Sequence, residues 1–152
     1  MKGVRGFTLI EILVVIGLIA ILAAIVLIAI NPARQFAQGR NAQRQSNINT
    51  ILNAIGQNVA DNSGIFGGVC GANVLPTPTA STSVKSSNGG SAGEIGCLAP
   101  TYLPVIPKDP ADAIGSNTGY DVSVNAVGRV TICAPSSVEA SIPNSKVMCV
   151  VR

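Results

Sequence analysis

Glu11 has the most unusual surroundings of any residue in this sequence. It is the only ionisable side chain in the apolar run from Phe7 to Ile30. A charged side chain inside a membrane-length helix costs about 2.5–3.5 kcal/mol on insertion scales. We expect another group to compensate this cost, and we expect that compensation to be part of the function.

The apolar run is long enough to cross a bilayer. At 1.5 Å per residue, a helix from Phe7 to Ile30 extends about 36 Å, and the hydrocarbon core of a bilayer is about 30 Å thick. Lys2 and Arg5 precede the run. Because basic residues next to a membrane helix stay on the cytoplasmic side, we predict that the chain after Ile30 lies outside.

A cleaved secretory signal peptide is the alternative interpretation of this run. Ala23, Ala24 and Ala29 supply small side chains of the kind found at such cleavage sites. However, the apolar region before them is longer than in those signals, and it contains Glu11. We therefore favour a helix that is retained.

The residues around Glu11 form a distinctive motif. A short basic leader ends in Gly6 and is followed directly by Phe7-Thr8-Leu9-Ile10-Glu11. This motif resembles the class III signal of bacterial type IV pilins and type II secretion pseudopilins. The resemblance implies that a prepilin peptidase cuts between Gly6 and Phe7 and methylates the new amino terminus at Phe7. It also implies that Glu11 has the role of the family's glutamate near the mature terminus, and that an inner-membrane assembly platform is a partner.

Small residues lie along one face of the apolar helix. Gly17, Ala20 and Ala24 are spaced i, i+3 and i+7, and small side chains allow helices to approach closely in lipid. One interpretation is a lone anchor in which alanine is only a good helix former. We favour a helix that packs against copies of itself, because this explains the carboxylate. In that bundle Glu11 pairs with the amino group of Phe7 on a neighbouring subunit and fixes the register of assembly.

The composition argues against an enzyme and against a nucleic-acid surface. The 152 residues include no histidine and 11% charged residues, and the formal net charge of +3 includes Lys2 and Arg5. Without histidine the common nucleophile–base pairs are absent, and so sparse a charge pattern gives no basic surface for nucleic acid. We predict no enzymatic activity, no cofactor and no direct contact with nucleic acid.

The four cysteines all follow the apolar run, at Cys70, Cys97, Cys133 and Cys149. In an exported domain, an even number of cysteines predicts two disulfides. Of the three possible pairings we favour the sequential one, 70 with 97 and 133 with 149, since each bond then closes a short loop. A zinc site is the alternative, but the sequence has neither a CxxC pair nor a histidine.

The chain divides into four predicted segments. These are a cleaved leader at 1–6, a transmembrane helix at 7–30, an amphipathic helix at 31–63, and a disulfide-closed loop with an antiparallel sheet at 64–152. The last two form one globular head. At the first junction, Asn31 can cap a second helix or Pro32 can bend a continuous one. The predicted fold class is α+β: a long N-terminal helix, transmembrane and then amphipathic, whose outer half packs on a small C-terminal sheet.

The outer helix is predicted from its periodicity. Apolar residues at helical spacing form one stripe for packing against a sheet; they are Ile48, Ile51, Leu52, Ile55 and Val59. Arg40 and Arg44 lie one turn apart, and we expect them on a solvated face or in contact with lipid headgroups and neighbouring helices.

Three strands are predicted near the end of the chain, at Tyr120–Asn125, Arg129–Ala134 and Lys146–Val151. The first two should form a hairpin through the turn at 125–128. Apolar residues alternate along each strand: Val122 and Val124, Val130 and Ile132, and Val147, Cys149 and Val151. The proline-rich stretch 102–110 before them resembles the approach to the sheet in many pilins and major pseudopilins. By contrast, the Ser/Thr-rich stretch 76–90 is too polar to build a core, and we predict an exposed, mobile loop.

Asp109, Asp112 and Asp121 form the only concentration of carboxylates near the strands. Major pseudopilins bind calcium in a C-terminal loop, and oxygen ligands suit that ion. The spacing here does not match that pattern, and Asp is common in turns. We therefore predict loop caps and no metal ligand.

Together these features predict a structural subunit of a type IV pilus-like filament. Its partners would be prepilin peptidase, copies of itself and, before assembly, membrane lipid. Its leader would lie in the cytoplasm and its head outside, with the mature form in a cell-surface or periplasmic filament. A type II secretion pseudopilin is the alternative, and a single-pass anchored domain that does not polymerise is a remote one.

Overall fold

The structure is a computed structural model that describes residues 6–71, 75–76 and 80–152. Lys2, Arg5 and most of the predicted leader lie outside the described residues. The chain forms two compact units that meet in sequence between Gln35 and Phe36. We call the second unit, Phe36–Arg152, the head.

Helix α1 spans Leu9–Ala29 and is apolar on every side. Its stretch Leu9–Val26 has a mean hydropathy of 3.1, and none of it is buried in the structure. By length and composition this stretch can cross a membrane. A helix that is apolar all round requires an apolar environment on all sides, such as lipid or other apolar helices.

The junction after α1 settles the question left open at Asn31 and Pro32. Helix α1 ends at Ala29, and Ile30 has an extended backbone with φ −94° and ψ 123°. Helix α2 then begins at Pro32 and runs to Asp61. The Asn31 side chain accepts a hydrogen bond from the Arg34 N–H at 3.2 Å. Asn31 therefore caps a second helix, with proline at the first helical position, where its missing N–H is tolerated.

The predicted apolar stripe of α2 faces the core of the head. Ile48, Ile51, Leu52 and Ile55 are buried, and Val59 packs against them. Short 3-10 helices at Gly68–Cys70, Gly96–Leu98 and Pro135–Ser137 connect the remaining elements.

The head contains a four-stranded antiparallel sheet in the order β1-β2-β3-β4. The strands are β1 (Ser81–Lys85), β2 (Asn117–Val124), β3 (Val130–Ala134) and β4 (Met148–Val151). Tyr120, Val122 and Ile132 are fully buried against the helix stripe. The predicted α+β fold, an apolar N-terminal helix followed by a helix and an antiparallel sheet, is confirmed.

Strand β1 corrects the prediction for 76–90. We predicted an exposed loop there, but Ser81–Lys85 pairs with β2, and Val84 is fully buried. The Val84 carbonyl also accepts a hydrogen bond from the Thr118 hydroxyl at 2.8 Å. This strand has a single apolar residue among serine, threonine and lysine, so its sequence shows no alternating pattern. Its stability comes from pairing with β2, which the local sequence does not reveal.

The alternating residues that indicated strand β4 are not the ones that face the core. Met148 and Val150 pack against the core, whereas Val147, Cys149 and Val151 point away from it. Five consecutive apolar residues carry no information about which alternate set lies inside. The register with β3 decides, since Ile132 lies opposite Val150.

Candidate functional site

The first turn of α1 holds the residues that the sequence singled out. Gly6 and Phe7 precede the helix and are exposed, and Thr8 is its N-cap. The Thr8 hydroxyl accepts a hydrogen bond from the Glu11 N–H at 3.3 Å, and the Glu11 Oε2 atom accepts one from the Thr8 N–H at 3.4 Å. This reciprocal pair is a capping box, which satisfies two of the backbone donors that a helix start leaves open.

The capping box fixes Glu11 at the end of α1 where negative charge is favourable. The N-terminus of a helix carries partial positive charge, so a carboxylate in the first turn is stabilised there. Both hydrogen bonds are long for N–H···O bonds, and both are exposed. Among the described residues no cationic side chain forms an ion pair with Glu11. The charge is thus capped but not neutralised.

The side chains next to Glu11 are apolar and exposed. Phe7 is 80% exposed and Leu9 81% exposed, and Phe7, Leu9, Ile12 and Ile16 line a shallow open groove. On the small-residue face, a β-carbon added at Gly17 would meet nothing within 4 Å. The site is therefore a bare apolar helix with a single carboxylate in its first turn.

A family model for the prokaryotic N-terminal methylation motif matches residues 1–27. The chain carries a type IV pilin or pseudopilin leader. This motif and the single apolar N-terminal helix fit a membrane-anchored precursor, and the motif implies processing by prepilin peptidase. Families with this leader supply structural subunits rather than enzymes. Comparison with curated proteins and with solved structures found no match.

The four cysteines are paired sequentially in the structure. Cys70 bonds to Cys97, with a Cα–Cα distance of 5.1 Å. Cys133 bonds to Cys149, with a Cα–Cα distance of 4.1 Å, and the two lie directly opposite each other on β3 and β4. The first bond ties the segment after α2 to the loop before β2, and the second ties the edge strand β4 to the sheet.

The three aspartates that were weighed as a calcium site have separate partners. Asp109 pairs with Arg44, the Asp112 Oδ2 atom accepts a hydrogen bond from Ser136 at 2.7 Å, and Asp121 accepts one from Ser83 at 3.2 Å. Within the described ranges, no group of three or more potential metal ligands occurs. Asp109 also accepts hydrogen bonds from the backbone of residues 111 and 112, as a loop cap does.

The prediction of a solvated position was wrong for Arg44, whereas the Arg40 side chain is partly exposed. Arg44 is 1% exposed, and its guanidinium contacts Asp109 at 2.7 and 3.1 Å and Glu139 at 2.6 Å. Arg40 contacts the same Glu139 at 2.8 and 2.6 Å. We call these four residues the arginine–carboxylate cluster.

The arginines of the cluster lower the pKa of both of its carboxyl groups. Hydrogen bonds from Arg40, and then from Arg44, lower the pKa of Glu139 from 4.5 to about 2. Burial opposes ionisation of Asp109, but hydrogen bonds from Arg44 and from the Ala111 and Asp112 N–H groups outweigh it and lower its pKa. All four groups are therefore charged at neutral pH, and the cluster is internally neutral.

Sequence reasoning missed this cluster, although one signal was present. Arg44 lies four residues before Ile48 and therefore continues the apolar stripe of α2. A lone arginine in the line of a buried stripe indicates a buried ion pair, because arginine is almost never fully buried without a partner.

Proposed function

We propose that this protein is a structural subunit of a type IV pilus-like filament. Prepilin peptidase would cut it between Gly6 and Phe7 and methylate Phe7, and the mature chain would enter the filament through α1. The observation that carries the proposal is the combination of the methylation motif with an apolar helix that the rest of the chain leaves bare. A helix of that kind is stable in lipid, or in a bundle of equivalent helices.

In this proposal Glu11 sets the register between subunits. Only its Oε2 atom accepts the Thr8 hydrogen bond, so the other carboxylate oxygen is available to a neighbour. Cleavage before Phe7 would create an amino group, and the amino group of a neighbouring subunit would bring a positive charge into the apolar bundle. Burying a carboxylate is costly unless it is paired, so a subunit in the wrong register would carry the full penalty.

The proposed organisation keeps the four sequence segments. Residues 1–6 would be removed, 7–30 would form the membrane and filament-core helix, and 31–63 with 64–152 would form the exported globular part. In the structure the compact head begins at Phe36, which leaves the first turn of α2 outside it.

We favour a surface pilus over a type II secretion pseudopilus. The two disulfides suit a filament that faces the oxidising medium outside the cell. Both types of filament require the same leader and the same apolar helix, so the choice needs a cellular test.

That test is electron microscopy of a deletion strain before and after complementation. Loss of surface filaments on deletion and their return on complementation would support a pilus subunit. Unchanged surface filaments together with loss of a secreted protein from the medium would support the pseudopilin instead. A strain with normal filaments and normal secretion would contradict both, and would favour an anchored domain that does not polymerise.

A further inference from the structure

The two halves of α2 are held in the head by different forces. From Ile48 onward the helix buries a stripe of aliphatic side chains against the sheet. Between Phe36 and Asn47 the only buried apolar residue is Ala37, and Phe36 itself is 69% exposed. Alanine buries little area, so apolar burial contributes little to holding this first half of the helix.

Polar contacts from two loops replace the missing apolar ones. In the segment before β2, Asp109 accepts two hydrogen bonds from Arg44, and the Lys108 carbonyl accepts one from the Asn47 side chain. The second loop, residues 135–147, joins β3 to β4. Its Glu139 carboxylate accepts hydrogen bonds from Arg40 and Arg44, and the carbonyl of its Ser137 accepts one from the Asn41 side chain at 3.0 Å. Charge-assisted bonds with arginine at such short distances are among the stronger hydrogen bonds in proteins.

The 135–147 loop is itself held in place. The Ser137 hydroxyl is buried. It donates a hydrogen bond to the Ala134 carbonyl at 2.7 Å and accepts one from the Met148 N–H at 2.7 Å. The Glu139 carbonyl accepts a hydrogen bond from the Ile142 N–H at 2.9 Å. The Cys133–Cys149 disulfide closes the loop just beyond its ends. Glu139 is therefore presented to α2 from a fixed support.

We propose that the 135–147 loop fastens the first half of α2 to the sheet, and that Glu139 is the residue of this loop that carries the contact. One carboxylate bridges two arginines on successive turns of the helix. Its loss therefore removes a charged contact from both turns at once, while Arg44 keeps its hydrogen bonds to Asp109. If the filament proposed above exists, this contact holds the part of the head that follows α1 most closely in sequence. That consequence rests on the proposed function, whereas the contact itself does not.

The test is hydrogen–deuterium exchange on the full chain in detergent, comparing wild type with Glu139→Gln. Glutamine keeps the size of the side chain and removes its charge. We expect amides of residues 37–44 to exchange about tenfold faster or more, which corresponds to the loss of one charge-assisted hydrogen bond. Arg40→Gln should give a smaller increase in the same peptides, because Arg44 still contacts Glu139.

Two controls separate a local role from a general loss of stability. Glu94→Gln removes another loop carboxylate, one that bonds to Ser87 and Ser91, and Arg34→Gln removes an arginine from the same helix; neither should change exchange at 37–44. Amides of β2 should exchange at the wild-type rate in Glu139→Gln. Unchanged exchange at 37–44 in Glu139→Gln, or an equal rise in β2, would overturn the proposal. The measurement needs no filament, so its outcome is independent of the proposed function.

Discussion

The first turn of α1 and the arginine–carboxylate cluster of the head both place charge among apolar groups, but the charges have different partners. Glu11 has two long, exposed hydrogen bonds within its own capping box and no ion pair among the described residues. Arg44 is buried and contacts two carboxylates at 2.6 to 3.1 Å. Among the described residues the Glu11 carboxylate has no cationic partner, whereas the Arg44 guanidinium is compensated by carboxylates of its own chain.

Whether a charge finds its partner within the chain indicates whether it contributes to folding or to assembly. A charge that the chain compensates internally contributes to the structure of the monomer, and removing one partner leaves the other buried and unpaired. A charge that the chain leaves uncompensated in an apolar surface is costly in the monomer, and it becomes favourable only when a partner arrives. The same kind of interaction therefore serves stability in the head and, in our proposal, recognition at α1.

The largest expected effect comes from blocking the proposed cleavage before Phe7, which would create the amino group that pairs with Glu11. Gly6→Val places a branched side chain at the proposed cleavage site, and we expect uncut precursor to accumulate in the membrane. Immunoblotting and intact mass of the membrane fraction measure this. Gly3→Val, in the same leader but away from the bond, is the control and should be processed. Normal processing of Gly6→Val would contradict the assigned site.

The next effect tests whether Glu11 acts in assembly or only as a helix cap. Glu11→Ala should insert in the membrane as wild type does, but should yield few or no filaments. Thr8→Val removes the capping hydroxyl and keeps the carboxylate, so we expect it to cost about 1 kcal/mol of helix stability and to leave most filaments. The yield of sheared filaments measures both. An equal loss of filament yield in the two variants would mean that Glu11 acts only as a helix cap.

In the head, the expected effect is on stability rather than on assembly. Arg44→Met leaves the buried Asp109 carboxylate without its guanidinium and should lower the free energy of unfolding by about 3–5 kcal/mol. Arg34→Met, on the exposed first turn of the same helix, should change it by less than about 0.5 kcal/mol. Denaturant unfolding in detergent measures both variants. Adding Asp109→Asn to Arg44→Met should recover part of the loss, and an additive loss instead would mean that the two residues are not coupled.

The smallest expected effect is a loss of stability of the head at acidic pH. Because the pKa of Glu139 is lowered from 4.5 to about 2, its stabilising contribution is complete above its ordinary pKa and is lost as the pH falls through about 2. The head should therefore lose stability steeply between pH 4.5 and 2. Glu139→Gln should be less stable at neutral pH and show a shallower decline over that range. If the stability of wild type and variant fell in parallel with pH, the acid sensitivity would come from other carboxylates.

The sequence predicted the features whose signal is local. The leader motif, the apolar length of α1 and the stripe of α2 each lie within a few turns of chain, and hydrophobicity or spacing alone identifies them. The hairpin of β2 and β3 was also predictable, since valine and isoleucine alternate with polar residues on both sides of a short turn.

The features that escaped prediction depend on distant parts of the chain. Strand β1 exists because β2 is there to pair with it, and the inward face of β4 is set by its register with β3. The bonds of the arginine–carboxylate cluster join Arg40 and Arg44 to Asp109 and Glu139, which lie more than 60 residues further along the chain. No periodicity in the sequence encodes such a pairing, and only the position of Arg44 in the apolar stripe indicated it.

The most direct test of the central claim is mass spectrometry of the amino terminus of the protein purified from its native membrane. We predict that the mature chain begins at Phe7 and carries one additional methyl group, as a subunit cut by prepilin peptidase would. A chain that begins at Met1 would contradict this account, because no new amino group would then arise near Glu11. A chain that begins beyond Ala23 would contradict it as well, because Glu11 itself would be removed.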